Sequence, residues 1–179
     1  MPDWNNRILI AGMSGTGKTW AALYIISRYI QLQKRKHIVF ISDNSVDYDN
    51  KKHHIRIRPG SNGFKLAYYG QREAGLKWNW DKIINKYKRL YIETGNVTIE
   101  EMGEMVNDIA KSMWNLGDGL LVIDEAWQYI SHSQTPIEVE RLSRGGRKKG
   151  SDIMIITHRV VDIHPRILNS INLVISFRL

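Results

Sequence analysis

Cysteine is absent from this sequence of 179 residues, which excludes disulfide bonds and cysteine-ligated metal sites. The absence is also compatible with a reducing compartment. Long apolar runs are missing too, and none approaches the roughly 20 residues that a membrane-spanning helix needs. The first residues lack the pattern of a signal peptide. We therefore expect a protein without transmembrane segments.

Acidic residues are fewer than basic ones, 18 against 26, and the formal net charge is +8. A charge of this size favours a polyanionic partner such as nucleic acid, although it also serves solubility. The length and the 42% hydrophobic fraction are typical of a globular protein with one substantial core. We therefore expect one domain over residues 1–179.

The stretch 7–19 combines a short apolar strand, a glycine-rich turn and the start of a helix. Its turn, Gly12-Met-Ser-Gly-Thr-Gly-Lys-Thr19, matches the complete P-loop or Walker A pattern. Glycines let backbone N–H groups approach phosphate oxygens, and the helix start directs its free N–H groups at the same anion. Lysine reaches the β- and γ-phosphates, and the last hydroxyl can ligate Mg²⁺. The predicted ATP-binding residues are Gly12, Ser14, Gly15, Thr16, Gly17, Lys18 and Thr19.

A second motif follows about 105 residues later. Residues 119–123 are an apolar run typical of a buried parallel strand, and Asp124 and Glu125 stand at its carboxyl end. A P-loop enzyme needs an acid there to hold Mg²⁺, a role we assign to Asp124 as the Walker B residue together with Thr19. Glu125 lies one residue beyond and is predicted to polarise the attacking water.

A basic segment comes after this motif. Thr135 is predicted as the N-cap of a helix whose first turn contains Pro136 and Glu138. The helix should loosen near Gly145 and Gly146, and residues 141–149 contain five basic side chains and no acid. Arg147 is our first candidate for the positive charge that stabilises the transition state, and Arg144 is the second. The alternative is a solvated surface without a role.

The rest of the chain predicts further elements of an α/β fold. A helix should run from Lys18 to about residue 33, and another should open at the capping box Thr98–Glu101. The apolar face of that second helix contains several methionines, which we interpret as core residues. Residues 64–88 have weak periodicity, and Trp78 and Trp80 fit a surface or a core equally well. Further strands are predicted at 37–41, 51–58, 89–93, 153–157 and 172–177.

The order of these motifs resembles the HerA–FtsK superfamily of DNA-pumping ATPases. The match rests on residues 7–19 and 119–179, including the basic turn 146–150 and the strand end Thr157-His158-Arg159. It is particularly similar to the compact genome-packaging ATPases of membrane-containing viruses with double-jelly-roll capsids, including archaeal viruses. Family members commonly have glutamine where this chain has His158, the position of a γ-phosphate sensor. Imidazole can also donate or accept a hydrogen bond.

The resemblance implies a RecA-like (ASCE) P-loop fold, a mostly parallel sheet with helices on both faces and the 152–157 strand between the P-loop strand and the Asp124 strand. It also implies a homo-oligomeric ring around double-stranded DNA, with Arg144, Lys148 and Lys149 as DNA-binding candidates. A viral motor would act in the host cytoplasm or on the virion, and a capsid or membrane-associated viral protein could dock it. Alternatives are a conjugation, phage-export or HerA-type DNA-processing ATPase, a small-molecule kinase, and an assembly factor that binds ATP as a switch.

Overall fold

The computed structural model describes residues 6–32, 34–43, 64–69, 78–94, 97–131 and 135–178. The strands are β1 (Arg7–Ala11), β2 (His37–Asp43), β3 (Lys65–Tyr69), β4 (Arg89–Thr94), β5 (Gly119–Ile123), β6 (Asp152–Thr157) and β7 (Leu173–Ser176). The helices are α1 (Lys18–Gln31), α2 (Trp80–Tyr87), α3 (Ile99–Leu116), α4 (Ile137–Gly145) and α5 (Pro165–Leu168). Short 3₁₀ turns lie at Ala126–Gln128, Gly146–Lys149 and Val160–Asp162.

The strands form one seven-stranded sheet in the order β3-β4-β2-β5-β6-β1-β7. Every pairing in it is parallel. β6 lies between β1 and β5, as the resemblance implied. Since parallel strands all end at the same edge of a sheet, the loops after β1, β5 and β6 meet there.

Helices cover both faces of the sheet, which confirms the predicted fold class. α1 packs on one face through a cluster that includes Ala22, Ile26 and Tyr29. α2, α3 and α4 pack on the other face. The methionine-containing face of α3 belongs to the core, as predicted, and its buried residues include Met102, Met105, Val106, Ile109 and Met113.

Two boundaries differ from the predictions. α4 begins at Ile137, so Pro136 and not Thr135 is at the N-cap position. Proline has no hydrogen-bonding side chain, and the N–H of Glu138 is capped instead by the Asn107 side chain on α3, at 3.0 Å. The predicted connector after Pro165 contains the short helix α5.

The weakly periodic region contains two elements that the sequence did not predict, α2 and β3. Trp80 is buried in the core, and Trp78 stacks on it with 5.2 Å between ring centroids. This resolves the question of the two tryptophans in favour of the core. The strand predicted at 51–58 lies outside the described residues. No helix in the described part of the chain is long and apolar enough to cross a membrane.

His37 begins β2 as a buried histidine, and its side chain connects β2 to the C-cap residue of α3. Its Nδ1 donates a hydrogen bond to the carbonyl oxygen of Gly117, at 3.1 Å. Its Nε2 is buried and has no hydrogen-bond partner among the described residues. Burial therefore lowers the pKa of His37 below its ordinary value of 6.5, and the hydrogen bond to Gly117 opposes this only in part.

A lowered histidine pKa makes stability depend on pH in a defined direction. The unfolded chain takes up the proton first as the pH falls, so the stability contributed by neutral His37 is present above pH 6.5 and lost below it. We predict that His37→Asn, which keeps an N–H donor but cannot titrate, loses less stability than the wild type between pH 8 and pH 5. The difference in unfolding free energy between the two proteins should grow by at most about 1.4 kcal/mol for each pH unit, since only one proton is involved. Urea unfolding measures it, and a difference that does not change with pH would contradict the assignment.

Candidate active site

The predicted P-loop, the predicted Walker B residues and His158 meet at the carboxyl edge of the sheet. β1 ends at Ala11, which pairs with Thr157 on β6, and β5 ends at Ile123, which pairs with Ile155. The N–H of Gly12 donates to the carbonyl oxygens of Thr157 and His158, at 3.3 and 3.2 Å. These hydrogen bonds connect the P-loop directly to the end of β6. Asp124 follows β5, which lies two strands from β1, so the usual spacing between strands places it roughly 10 Å from the end of β1.

The glycines of the P-loop have structural reasons for their positions. Gly15 and Gly17 have left-handed φ angles of +76° and +97°, which other residues adopt only with strain. A Cβ at Gly12 would lie 2.7 Å from Cβ of Phe177. The segment after β7 thus supports the loop, and the N–H of Met13 donates to the carbonyl oxygen of Arg178 at 3.2 Å. The sequence analysis missed this support, because nothing in the local pattern places residue 177 beside residue 12.

Lys18 is a buried cation at the first position of α1, only 6% exposed. Its Nζ donates to the carbonyl oxygens of Gly12 and Met13, at 2.7 and 3.0 Å. α1 has Gly17 at its N-cap and no side-chain capping bond, so its first N–H groups also point into the loop. A buried ammonium group next to free helix N–H groups fits a phosphate ligand.

Asp124 is buried, at 3% exposure, and its position is fixed by the backbone around it. Its Oδ1 accepts the N–H of Glu125 at 3.0 Å, and its carbonyl oxygen accepts the hydroxyl of Tyr129 at 2.8 Å. No group of three or more histidine, aspartate or glutamate side chains suited to a metal occurs in the described part of the chain. Mg²⁺ in phosphate sites needs only one or two protein ligands besides phosphates and water, so Thr19 and Asp124 fit that role.

Glu125 has an unusual backbone conformation and two side-chain partners. Its φ of 49° and ψ of 40° are left-handed, a strained region for a residue with a side chain. Its Oε2 accepts hydrogen bonds from Nε1 of Trp127 and Nε2 of His158, both at 2.9 Å. The two rings meet edge to face, with centroids 6.3 Å apart. Both contacts use the same carboxylate oxygen, Oε2.

His158 and Trp127 therefore act on Glu125 in this structure. The resemblance placed His158 near the γ-phosphate as a sensor, and in this structure its Nε2 contacts Glu125, the predicted catalytic carboxylate. Trp127 was missed, although an indole N–H two residues after a strand-end glutamate is a signal that could have suggested it.

The basic residues of 144–149 lie at the opposite edge of the sheet. The turn Gly146–Lys149 precedes β6, and the length of β6 separates it from the carboxyl edge by roughly 17 Å. Arg147 is exposed, and Arg144 pairs with Glu140 at 3.0 Å. Neither arginine belongs to the P-loop site of its own chain.

The predicted loosening of the helix near Gly145 and Gly146 is confirmed, because α4 ends at Gly145 and a 3₁₀ turn follows at Gly146–Lys149. A Cβ at Gly145 would lie 2.9 Å from the ring of Trp114, and one at Gly146 would lie 2.7 Å from the carbonyl oxygen of Ser151. These glycines are there because other groups approach them closely. The backbone of the turn is therefore closely packed, and the Arg147 side chain on it is exposed.

The fold and the site define a P-loop NTPase with a RecA-like parallel sheet, a class that binds nucleotides. The family model described as "Type III restriction enzyme, res subunit" (ResIII) matches residues 3–144, which is more than half of the chain. The protein therefore belongs to the ResIII family. No curated protein matches the sequence.

Solved structures with the same fold include the genome-packaging NTPase B204 of Sulfolobus turreted icosahedral virus 2. Its complex with ATP-gammaS has a TM-score of 0.64 at 17% identity, over 99% of this chain and 76% of that one. The DNA-packaging ATPase B204 from Sulfolobus turreted icosahedral virus gives 0.63 at 17% identity, over 98% and 76%. The SWI2/SNF2 ATPase core of Sulfolobus solfataricus in complex with dsDNA gives 0.51 at 15% identity, over 93% and 31%. The resemblance to packaging ATPases is thus confirmed at the level of the fold.

Two substitutions should separate nucleotide binding from hydrolysis. Lys18→Ala should weaken ATP binding and abolish turnover, because the phosphates lose a buried counter-charge. Glu125→Gln keeps the size of the side chain, so binding should persist while hydrolysis falls roughly 10²–10⁴-fold. Nucleotide titration and phosphate release measure the two effects. Glu104→Gln, on the exposed side of α3, is the control, and near wild-type turnover of Glu125→Gln would remove Glu125 from its role.

Proposed function

We propose that this protein is an ATP-hydrolysing translocase of double-stranded DNA and that it packages a viral genome. Hydrolysis is supported mainly by Glu125, which follows β5 at the edge of the sheet that contains the complete P-loop. Its Oε2 accepts hydrogen bonds from Trp127 and His158, and we propose that its other oxygen binds the attacking water. A small-molecule kinase has no need of a carboxylate that activates water. The DNA part is supported by the net charge of +8 and by the fold shared with packaging NTPases.

Each group of residues has its own role in the proposed hydrolysis. Bound ATP and Mg²⁺ supply the phosphoanhydride bond and the cation that neutralises its charge. Lys18 and the N–H groups at the start of α1 would bind the phosphates, and Thr19 and Asp124 would hold the metal. Oε1 of Glu125 orients the attacking water, while Trp127 and His158 prevent the carboxylate from rotating away. Near the transition state, a further positive charge is required on the far side of the phosphate.

We assign that charge to Arg147 of a neighbouring subunit. Its distance from the P-loop of its own chain excludes a role there, and its exposed, packed turn can present the guanidinium group to another copy. Arginine suits the task because its planar group bridges phosphate oxygens and stays charged. The proposal therefore requires a homo-oligomeric ring. Such a motor would work in the host cytoplasm or on the virion, docked to a capsid or membrane-associated viral protein.

Duplex DNA should stimulate ATP hydrolysis. We predict stimulation without sequence preference, because the described residues contain no base-reading module. The steady-state ATPase rate with and without duplexes of different sequence measures this. Transfer of phosphate to a small acceptor without stimulation by DNA or RNA would favour a kinase, and ATP binding without turnover would favour an assembly switch. Stimulation by DNA does not by itself distinguish genome packaging from DNA export or another form of DNA processing.

Arg147→Ala should lose roughly 10³–10⁵-fold in turnover, the usual contribution of an arginine supplied in trans. Mixing Arg147→Ala with Lys18→Ala should restore part of the activity, since some interfaces then combine an intact P-loop with an intact Arg147. Arg141→Ala, an exposed arginine on α4, is the control. An active Arg147→Ala protein, or full activity in a monomer, would contradict the assignment, and Arg144 would be tested next in the same way.

A further inference from the structure

Charged side chains lie at both edges of the sheet, and the carboxyl edge includes the cations Lys18 and Arg159. The carboxyl edge contains the acids of the active site, Asp124 and Glu125, and also Glu93 at the end of β4. The amino edge is mainly basic. Its basic side chains include Arg35, Lys36, Lys88, Arg89, Lys148 and Lys149, which precede or begin β2, β4 and β6.

Among the described residues of this edge, Asp152 and Asp118 are acids, and Asp152 forms a buried ion pair. Asp152 is fully buried and pairs with Arg35, with 2.9 Å between Nε and Oδ2 and 3.2 Å between Nη2 and Oδ1. It also accepts the N–H of Asn6 at 2.8 Å. The pair fixes the chain just before β2, so that the neighbouring Lys36 side chain is held at the surface. Asp118 is exposed, and its Oδ1 lies 4.0 Å from Nη1 of the same Arg35.

A cavity of about 600 Å³ opens at this edge. Its lining consists of Ile30, Arg35, Lys36, Tyr87, Lys88, Arg89 and Asp118. The backbone holds these segments together, since the N–H groups of Lys36 and His37 both donate to the carbonyl oxygen of Asp118 and the N–H of Ile38 donates to that of Lys88. The backbone therefore fixes the positions of the remaining cations, and we call this surface the amino-edge groove (Lys36, Lys88 and Arg89).

The groove continues into the basic turn before β6. The N–H of Asp118 donates to the carbonyl oxygen of Lys149 at 2.8 Å, so the turn Gly146–Lys149 borders the groove. Along the edge, the groove lies at the starts of β2, β4 and β5, and Arg147 lies toward the start of β6. A contact of Arg147 with a neighbouring subunit thus leaves the groove side of the edge available for another ligand.

We propose that the amino-edge groove binds the phosphate backbone of duplex DNA. The inference rests on the proposed function and adds the DNA-contacting surface to it. Lysine and arginine on a fixed frame match the dense negative charge of a duplex, and they carry no base-specific pattern. The groove lies a full strand length from the P-loop. DNA contact and nucleotide chemistry therefore use opposite edges of the sheet and can be altered separately.

The test uses a pair of charge reversals in the full-length chain. Lys36→Glu with Lys88→Glu changes the groove, and Lys82→Glu with Lys111→Glu makes the same change in net charge at exposed sites on α2 and α3. Binding to a labelled duplex of random sequence is measured by fluorescence anisotropy over a range of salt concentrations. ATP affinity and DNA-free ATPase activity are measured in parallel, which also reports whether each variant is folded.

The groove variant should bind DNA roughly tenfold or more weakly than the control pair. The slope of log K against log salt should become shallower by about 1.8, since about 0.9 is lost with each phosphate contact. ATP affinity and the DNA-free rate should stay at the control level.

Equal DNA binding by the two variants would overturn the groove while leaving the proposed function in place. A loss of DNA-free ATPase activity with intact DNA affinity would also overturn it, because the groove would then be a contact between subunits. Binding to phosphatidylserine vesicles in place of DNA would identify a membrane surface instead. A wild-type protein that binds no duplex at all would overturn the proposed function together with the groove.

Discussion

The position of β6 between β1 and β5 determines where every group of the active site lies. Its parallel register with both neighbours brings the P-loop, Asp124 and His158 to one edge of the sheet. The hydrogen bonds from the N–H of Gly12 to the carbonyls of residues 157 and 158 then fix the loop to the strand. A shift of β6 by one residue would move each of its side chains to the opposite face of the sheet and move His158 away from Glu125.

The same parallel arrangement separates two kinds of chemistry. All strands point their carboxyl ends toward the nucleotide site and their amino ends toward the basic edge. The buried pair Arg35–Asp152 begins at that second edge and ties the residues before β2 to the start of β6.

The sequence predicted those parts of the fold in which local pattern and chemistry agree. The P-loop, the Asp124–Glu125 strand end and the capping box at Thr98 all have short-range signatures, and each is found where it was expected. Contacts between distant residues could not be predicted in this way. Phe177 against Gly12, Asn107 capping α4, and the glycines packed against Trp114 and Ser151 depend on tertiary packing that local periodicity does not encode.

The central claim, that nucleotide and DNA use opposite edges of one sheet, is tested most directly by an electron cryo-microscopy structure of Glu125→Gln with ATP, Mg²⁺ and a DNA duplex. We expect the phosphates within residues 12–19, the metal between Thr19 and Asp124, and the DNA backbone against Lys36 and Lys88. DNA at the carboxyl edge, or nucleotide bound away from the P-loop, would contradict the account.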